Sequence, residues 1–467
     1  MKKILFYFVI YYLRFFAKLA LFVGNPTVIG IAGSVGKSST KQAIFAVLQD
    51  YFPTKYTPGN SETGVPLGIL GIEIKGYSVL DWLKVILLCP FKVFSLKGTK
   101  ILIVEMGTDE PTPPRNMEYL LSIVKPQIAI YLNAQATHTQ QFEKVLTSKE
   151  KTLPSAKKLA LILQAIAHED GKIITQSDCQ KAIFNQDDPL IENELKNFSI
   201  KENVLVGFGN KGRVSLLKYS LSLKGSTFQF KSNNDLITID FPNLLLPKVY
   251  ADVFAPALII GQLYKLSKEK ITRSLEKNFT LPNGRSSLFT GINNSVIIDS
   301  SYNASKNSVL TFLELIRNLK EQEKRTTVFV FGDMRELGDE AAEQHLTLIP
   351  YLHQTVDYLY CVGPLTYQFI YSEILKTGRQ NKFKEVKHFF TAVEAGRALQ
   401  KQLPDKSVIL VKGSQNEIFL EELIKYILAD SKDAEKLCRQ SEFWQKKKSA
   451  FFQKKLISQP ASINNQS

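Results

Sequence analysis

The stretch Val28-Ile29-Gly30-Ile31-Ala32-Gly33-Ser34-Val35-Gly36-Lys37-Ser38-Ser39-Thr40 reads as an apolar strand, a glycine turn, and a helix opened by Lys-Ser. A bound phosphate needs close backbone approach, which glycine permits, together with N–H groups at a helix N-terminus, a cation, and a hydroxyl for Mg²⁺. Gly33, Ser34, Val35, Gly36, Lys37, Ser38 and Ser39 supply all of these, so they are expected to cradle nucleotide phosphates. The loop is not a strict Walker A, because the glycine five places before Gly36 would fall on Ile31; the short form Gly33-x-x-Gly36-Lys37-Ser38 is used instead. An ordinary strand-to-helix turn has no reason to combine both glycines with Lys and Ser.

Outward from this loop, strand-like runs occur at Ile101–Met106, Ile128–Leu132, Val296–Asp299, Thr327–Phe331, Tyr358–Val362 and Val408–Val411, with helix-length amphipathic segments between several of them. Such alternation predicts an α/β fold with parallel sheets covered by helices on both faces. Between about Val204 and Phe241 the pattern shortens to strands separated by Gly and Asn turns, which predicts a β-rich insert. Leu281-Pro282-Asn283-Gly284-Arg285 reads as a linker. The expected organisation is an apolar helix over 1–23, a central nucleotide-binding domain over 24–284, a C-terminal α/β domain over 285–430, and a basic tail over 431–467.

At 467 residues and 44% hydrophobic the chain is long enough for two or three cores. Cys89, Cys179, Cys361 and Cys438 lie far apart with no C-x-x-C pair, which argues against a structural zinc site or a disulfide framework and for a reducing compartment. The net charge of +15 suits nucleic acid, anionic lipid or anionic substrates alike. No RNA-binding signature, zinc finger or internal repeat accompanies it, so nucleic acid is not an expected partner.

Ile4 to Val23 is apolar and long enough to span a bilayer, yet it contains Arg14 and Lys18. On a helix Tyr7, Tyr11, Arg14 and Lys18 share one face, while Phe6, Phe8, Val9, Leu13, Phe16 and Leu19 cover much of the remainder. This pattern predicts a helix lying in a membrane interface with Arg14 and Lys18 toward the headgroups. Lys18 stands where the cleavage region of a signal peptide should be small and neutral. Val79 to Leu96 is a second apolar segment, readable as a membrane-lying helix or as a buried one. In the tail, Arg439, Lys446, Lys447, Lys448, Lys454 and Lys455 alternate with Phe443, Trp444, Phe451 and Phe452, a composition suited to anionic lipid or to a solvated basic helix.

Further motifs follow the loop in order: Asn60-x-x-x-Gly64-Val65-Pro66-Leu67, Val104-Glu105-Met106-Gly107, Asn133 followed by His138, Asn185-x-Asp187-Asp188-Pro189, Gly284-Arg285, Ser301-Tyr302-Asn303-Ala304, Gly332-Asp333-Met334-x-Glu336-Leu337-Gly338 and Val411-Lys412-Gly413-Ser414. Together they resemble the Mur ligases, ATP-dependent amide-bond enzymes of peptidoglycan synthesis, over roughly Val28 to Asp430. The Ser-Tyr-Asn-Ala, Gly-Asp-Met and Lys-Gly-Ser pieces are most similar to the branch that adds D-alanyl-D-alanine to a UDP-muramoyl tripeptide.

The resemblance implies that ATP phosphorylates a carboxylate and that an amine then attacks the acyl phosphate. It implies Lys37 on the β/γ-phosphates, Ser38 on one Mg²⁺, and Glu105 with His138 on a second. It gives Arg285 to the transferring phosphoryl group, and Asp299, Tyr302 and Asn303 to the nucleotide. Asn60, Thr63, Lys412 and Ser414 fall to the substrate, a small cell-wall precursor joined to an amino acid or dipeptide. A lysine bridging magnesium ions corresponds to Lys151, with Lys149 also within the spacing.

There are departures from the family. Its small N-terminal UDP-binding domain has no counterpart before Val28, and the His-Asn-x-x-Asn run expected before the linker helix reads Val249-Tyr250-Ala251-Asp252-Val253. A double aspartate has become Asp299-Ser300, and Ala134-Gln135 replaces a glycine. Two readings follow: an active carboxylate–amine ligase, or a membrane-bound nucleotide-binding scaffold that has lost ligation. Retention of Lys37, Ser38, Glu105, His138 and Arg285 together favours the first, and the Ser-Tyr-Asn-Ala and Lys-Gly-Ser motifs disfavour a folylpolyglutamate-type ligase. A spanning helix beginning Met1-Lys2-Lys3 would by the positive-inside tendency carry the ATP loop outside the cell, so the expected location is the cytoplasmic face of the membrane.

Overall fold

The computed structural model describes residues 2–74, 76, 78–196, 205–233, 235–335, 337, 340–414 and 417–458. Glu336 and Gly338, and the side chains of Lys2, Lys3, Lys454 and Lys455, lie outside the described residues. The chain forms two compact units, one of residues 1–218, 228–239 and 250–280, the other of 219–227, 240–249 and 281–467.

The first unit is built on strands β1 (Thr27–Ala32), β2 (Thr54–Tyr56), β3 (Ile101–Glu105), β4 (Ile128–Tyr131), β5 (Lys181–Asn185) and β6 (Leu205–Phe208); β7 (Val214–Ser222), β8 (Gly225–Ser232) and β9 (Asp235–Pro242) follow, each with residues in both units. The sheet order is β2-β3-β1-β4-β5-β6-β7-β8-β9, and β1 to β6 pair in parallel. β3 and β4 are buried at every residue, as strands covered by helices on both faces must be. Gly30 pairs with Val104 on one side and Ala129 on the other, so β1 lies between β3 and β4. The chain leaves β1 toward β2 and β3, then crosses to β4. That reversal of direction opens a crevice at the carboxyl ends of β1, β3 and β4, where ligands of open α/β sheets bind.

The second unit carries a six-stranded sheet in the order β10 (Ser287–Thr290), β11 (Val296–Ser300), β15 (Ser407–Lys412), β12 (Thr326–Gly332), β13 (Tyr358–Val362), β14 (Glu385–Phe389), parallel except for β10. The strand runs read from sequence fall within one residue of the observed strands, because each is an unbroken apolar segment ended by a turn or polar residue.

The N-terminal helix α1 (Lys2–Gly24) differs from expectation on one side. Val9, Ile10, Leu13, Ala17 and Ala20 are buried in the core of the first unit, a stripe at helical spacing. Arg14 does not face outward: its guanidinium donates to Ser122 Oγ at 3.1 Å and lies over the rings of Tyr11 and Tyr119. Stacking on aromatic faces satisfies the planar cation while its stem packs against protein. Lys18 is exposed. Val79–Leu96 resolves into α4 (Val79–Leu88) and a 3₁₀ turn (Cys89–Phe94). Val85, Cys89, Val93 and Leu96 are buried while the opposite face is exposed, so the segment lies on the first unit with one face in its core rather than wholly buried.

The tail also packs on protein. In the helix Glu442–Ser458, Trp444, Phe451 and Phe452 gather around the Phe419 ring. Lys448 is buried, 2.6 Å from Glu422 and 3.4 Å from Glu421. These aromatic residues and Lys448 are therefore spent on the second unit, which corrects the lipid reading of the tail.

Candidate active site

The phosphate loop follows β1, with Gly33 at φ 131° and Gly36 at φ 89°. Both angles are costly for residues with a Cβ, which accounts for glycine at these two places. Gly36 precedes the helix α2 (Lys37–Leu48). Lys37 folds back onto the carbonyls of Gly33 and Ser34. Ser39 is half-buried in the first turn of α2. Asn133, just past β4, holds the loop from the neighbouring strand: its Oδ1 accepts from Val35 N and its Nδ2 donates to Val35 O, both at 3.0 Å. Ser34 Oγ donates to Gln135 O at 3.0 Å and accepts from Gln135 N at 2.8 Å. Asp188 accepts from Ala134 N at 2.9 Å, giving the Asp-Asp-Pro motif a bracing role here.

At the end of β3, Glu105 faces this loop. Ser38 Oγ lies 2.9 Å from both Glu105 oxygens, and Asn60 Nδ2 donates to Oε1 at 3.3 Å. Lys41, one turn beyond Lys37, places its ammonium 2.9 Å from Oε2 and donates to Thr57 O at 3.0 Å. The Lys41–Glu105 pair is buried, with side chains 5% exposed on each partner. The hydroxyl of Ser38 and the carboxylate of Glu105 are hard oxygen donors of the kind Mg²⁺ takes, one or two from protein with the rest from phosphates and water. Among the described residues no three His, Cys, Asp or Glu are grouped as a metal site. His138 has φ 52° and lies 3.5 Å from Asp109 on a half-exposed surface. Lys151 and Lys149 are exposed on the short helix Ser148–Lys151, and Thr63 caps the helix α3 (Gly64–Leu70) without a side-chain bond.

Asp170 is a buried acid that the sequence reading missed. Burial pushes its carboxyl up to about 6, opposed by the Lys37 charge and by a hydrogen bond from Thr108. It lies on the helix Ser155–Thr175, in no recognisable motif. Lys41 was legible in principle, since it follows Lys37 by four places on one helix face.

The second unit gathers its own set at strand ends. Ser300 and Phe331 are both register partners of Lys412, so β11, β12 and β15 finish together. Lys412 Nζ donates to Ser300 Oγ at 3.1 Å and to Asn303 O at 3.0 Å. Burial drives its pKa down to about 7, helped by repulsion from Arg285 and opposed by Asp299. Asp299 is fully buried, accepts from Ser301 N at 2.9 Å, and has its carboxyl raised to about 6 by burial. Its Oδ2 has no hydrogen-bond partner. Ser414 Oγ donates to Ala304 O at 3.3 Å and accepts from Arg335 N at 2.9 Å. The Arg285 guanidinium stands 4.8 Å from the Tyr302 ring centre. Exposed cation, aromatic ring, and buried acid and amine thus meet at one edge.

Comparison with known proteins finds relatives over most of the chain. Residues 284–415 match the family model described as Mur ligase, glutamate ligase domain. The UDP-N-acetylmuramoyl-tripeptide–D-alanyl-D-alanine ligase of Rickettsia prowazekii is 27% identical over 401 residues, covering 85% of this chain and 77% of the relative. The enzyme of the same name from Bacillus subtilis is 24% identical, covering 86% and 76%. Residues 284–415 thus carry a Mur ligase domain, and most of the chain is similar to enzymes of that family. The chain's fold is that of the MurF ligase from Thermotoga maritima solved with ADP, with TM-score 0.66 at 20% identity, covering 91% of this chain and 84% of that one. Within that fold the chain carries the Ser38–Glu105 contact in its first unit and the Arg285–Tyr302 contact in its second.

Proposed function

We propose that this chain is a Mur ligase that joins a carboxylate to an amine at the expense of ATP, extending a UDP-muramoyl peptide by D-alanyl-D-alanine. The observation that carries the reading is the meeting of the Lys37 loop with the Ser38–Glu105 pair at adjacent strand ends. In the first step a carboxylate oxygen attacks the γ-phosphorus, giving an acyl phosphate and ADP. In the second the amine attacks the acyl carbon, phosphate leaves, and the nitrogen loses a proton. Lys37, released from its own loop carbonyls, would bind the β/γ-phosphates, and Arg285 would bind the transferring phosphoryl group. Ser38 and Glu105 would hold Mg²⁺, which supplies charge neutralisation of the phosphates.

In the same proposal Glu105 would share a second Mg²⁺ with His138, and Lys151 would be the lysine that bridges the magnesium ions. Asp299, Tyr302 and Asn303 would meet nucleotide; Asn60, Thr63, Lys412 and Ser414 would meet the joined substrates. The domain limits proposed for this activity are 24–284 and 285–430, between the helix 1–23 and the tail 431–467. The chain is further proposed to work on the cytoplasmic face of the membrane. The test is incubation with ATP, Mg²⁺, UDP-muramoyl peptides and a panel of amino acids and dipeptides, reading phosphate release and product mass. Phosphate release coupled to a product heavier by the dipeptide residue is expected. ATP binding without any ligated product would leave the scaffold reading in its place.

A further inference from the structure

The helix α4 is built the wrong way round for water. Its outward positions carry Leu80, Leu83 and Leu87, each at least half exposed, and the following turn presents Phe91 at 80% exposure and Phe94 at 64%. Beside it, α1 turns Phe8, Phe15, Leu19 and Phe22 outward, with Phe22 83% exposed. The phenylalanines recur every seven residues and so lie along one side of the helix. The two elements touch: Tyr12 Oη on α1 donates to Ile86 O on α4 at 3.0 Å, and the rings of Phe8, Tyr12 and Phe16 follow one another along the junction. Their outward apolar residues therefore border one seam. Soluble chains rarely leave large apolar residues clustered in water, and such clusters mark interaction surfaces.

Charge identifies the occupant. Lys18, Lys84, Lys92 and Lys97 are exposed on these same elements and the turn that follows them, in a chain of net charge +15. Apolar side chains flanked by lysines suit acyl chains beneath anionic headgroups, and long lysine stems can lie along the apolar surface with their ammonium groups in the headgroup layer. A spanning α1 is excluded by its other side. Val9, Ile10, Leu13, Ala17 and Ala20 are buried against the first unit, and Arg14 is bonded to Ser122. Crossing the bilayer would strip all of these contacts.

We propose that α1, α4 and the turn Cys89–Phe94 form a single insertion surface that seats the first unit on an anionic phospholipid leaflet without crossing it. This deepens the membrane placement proposed above and is independent of ligation, so vesicle binding and turnover are read separately. The full chain is sedimented with phosphatidylcholine vesicles and with vesicles containing phosphatidylglycerol. Three variants accompany it: Phe22→Glu, Leu87→Glu, and the Lys84→Glu/Lys92→Glu pair. The apolar positions are solvent-facing, so thermal melting should stay near the parent. Each apolar variant should reduce partition onto phosphatidylglycerol vesicles at least tenfold, and the lysine pair should abolish the preference for anionic lipid at low salt. Parent protein left in the supernatant with every vesicle would overturn the proposal. So would variants that sediment like the parent, or sensitivity at Phe22 alone, which is the signature of a spanning α1. A concentration-dependent dimer, broken by Leu87→Glu with no vesicle binding, would assign the surface to a second copy of the chain.

Discussion

Lys41 and Glu105 form a buried ion pair at 2.9 Å, directly beneath the phosphate loop. The ammonium neutralises an acid that Ser38 and Asn60 also contact, so a protein cation already stands where a metal ligand is expected. Breaking a buried pair by removing one partner costs about 3–5 kcal/mol, because the other charge is left uncompensated. Lys41→Met is expected to lower the melting temperature without ligand, and Mg²⁺-nucleotide should raise it by more in the variant than in the parent. Equal Mg²⁺-nucleotide shifts in both proteins would show that Glu105 does not face the ion.

Lys37 makes no contact that the fold requires: its bonds are to the carbonyls of Gly33 and Ser34 in its own loop. Lys37→Ala should therefore leave the fold intact, at a cost of about 1 kcal/mol for a half-buried side chain whose charge faces the buried Asp170, while eliminating turnover. Melting curves and phosphate release measured on one preparation decide it. Turnover near the parental rate in a well-folded variant would remove Lys37 from the phosphoryl-transfer chemistry.

The sheets and the phosphate loop were legible because their signals are local. Apolar runs such as Tyr358–Val362 read directly as strands, and a Gly-x-x-Gly-Lys-Ser loop requires particular residues at fixed spacing. The face that α1 turns inward was not legible. Arg14 falls on a polar stripe in sequence, yet Tyr119 and Ser122, more than a hundred residues away, supply it with partners. Asp170 and Glu421 escaped for the same reason, since burial is created by distant segments. The tail misled through composition: its lysines and aromatic rings suit lipid, but Phe419 and the Glu421–Glu422 pair claim several of them.

Lys412 and Asp299 make opposite contributions to stability as pH changes. Lys412 titrates near 7 when folded against an ordinary 10.5, so above pH 7 the unfolded chain holds a proton that the folded one has lost. Its contribution therefore rises with pH between about 7 and 10.5. Asp299 is raised from 3.8 to about 6, so the folded chain holds the extra proton and the contribution falls as pH rises across that window. Lys412→Met should flatten the alkaline rise in melting temperature and Asp299→Asn the acidic fall, each measured against the parent. A variant that keeps the parental slope in its own window would show that its residue is not the titrating group.

Arg439 reaches the Ser301–Tyr302 backbone from outside the family-matched segment 284–415. Its guanidinium is 3% exposed and holds Glu421 through Nε at 2.9 Å and Nη2 at 2.7 Å. It also donates to Ser301 O at 3.0 Å and Tyr302 O at 3.2 Å. Arg439 thus fixes the backbone that carries Tyr302, while Arg285 covers the Tyr302 ring at 4.8 Å. On the proposed function the two arginines would have separable duties, Arg439 positioning the ring and Arg285 meeting phosphate. Arg439→Lys keeps a cation but loses the fork that bonds Glu421 and both carbonyls. It should raise KM for ATP about tenfold, equivalent to about 1.4 kcal/mol, with a smaller change in kcat. Arg285→Ala should do the reverse, lowering kcat at least a hundredfold with KM for ATP near the parent, because a phosphoryl clamp acts most strongly in the transition state. Steady-state kinetics of both variants under saturating acceptor and amine separate the roles. Matching changes in KM and kcat for the two would show that they act as one structural unit and that Arg285 has no distinct part in phosphoryl transfer.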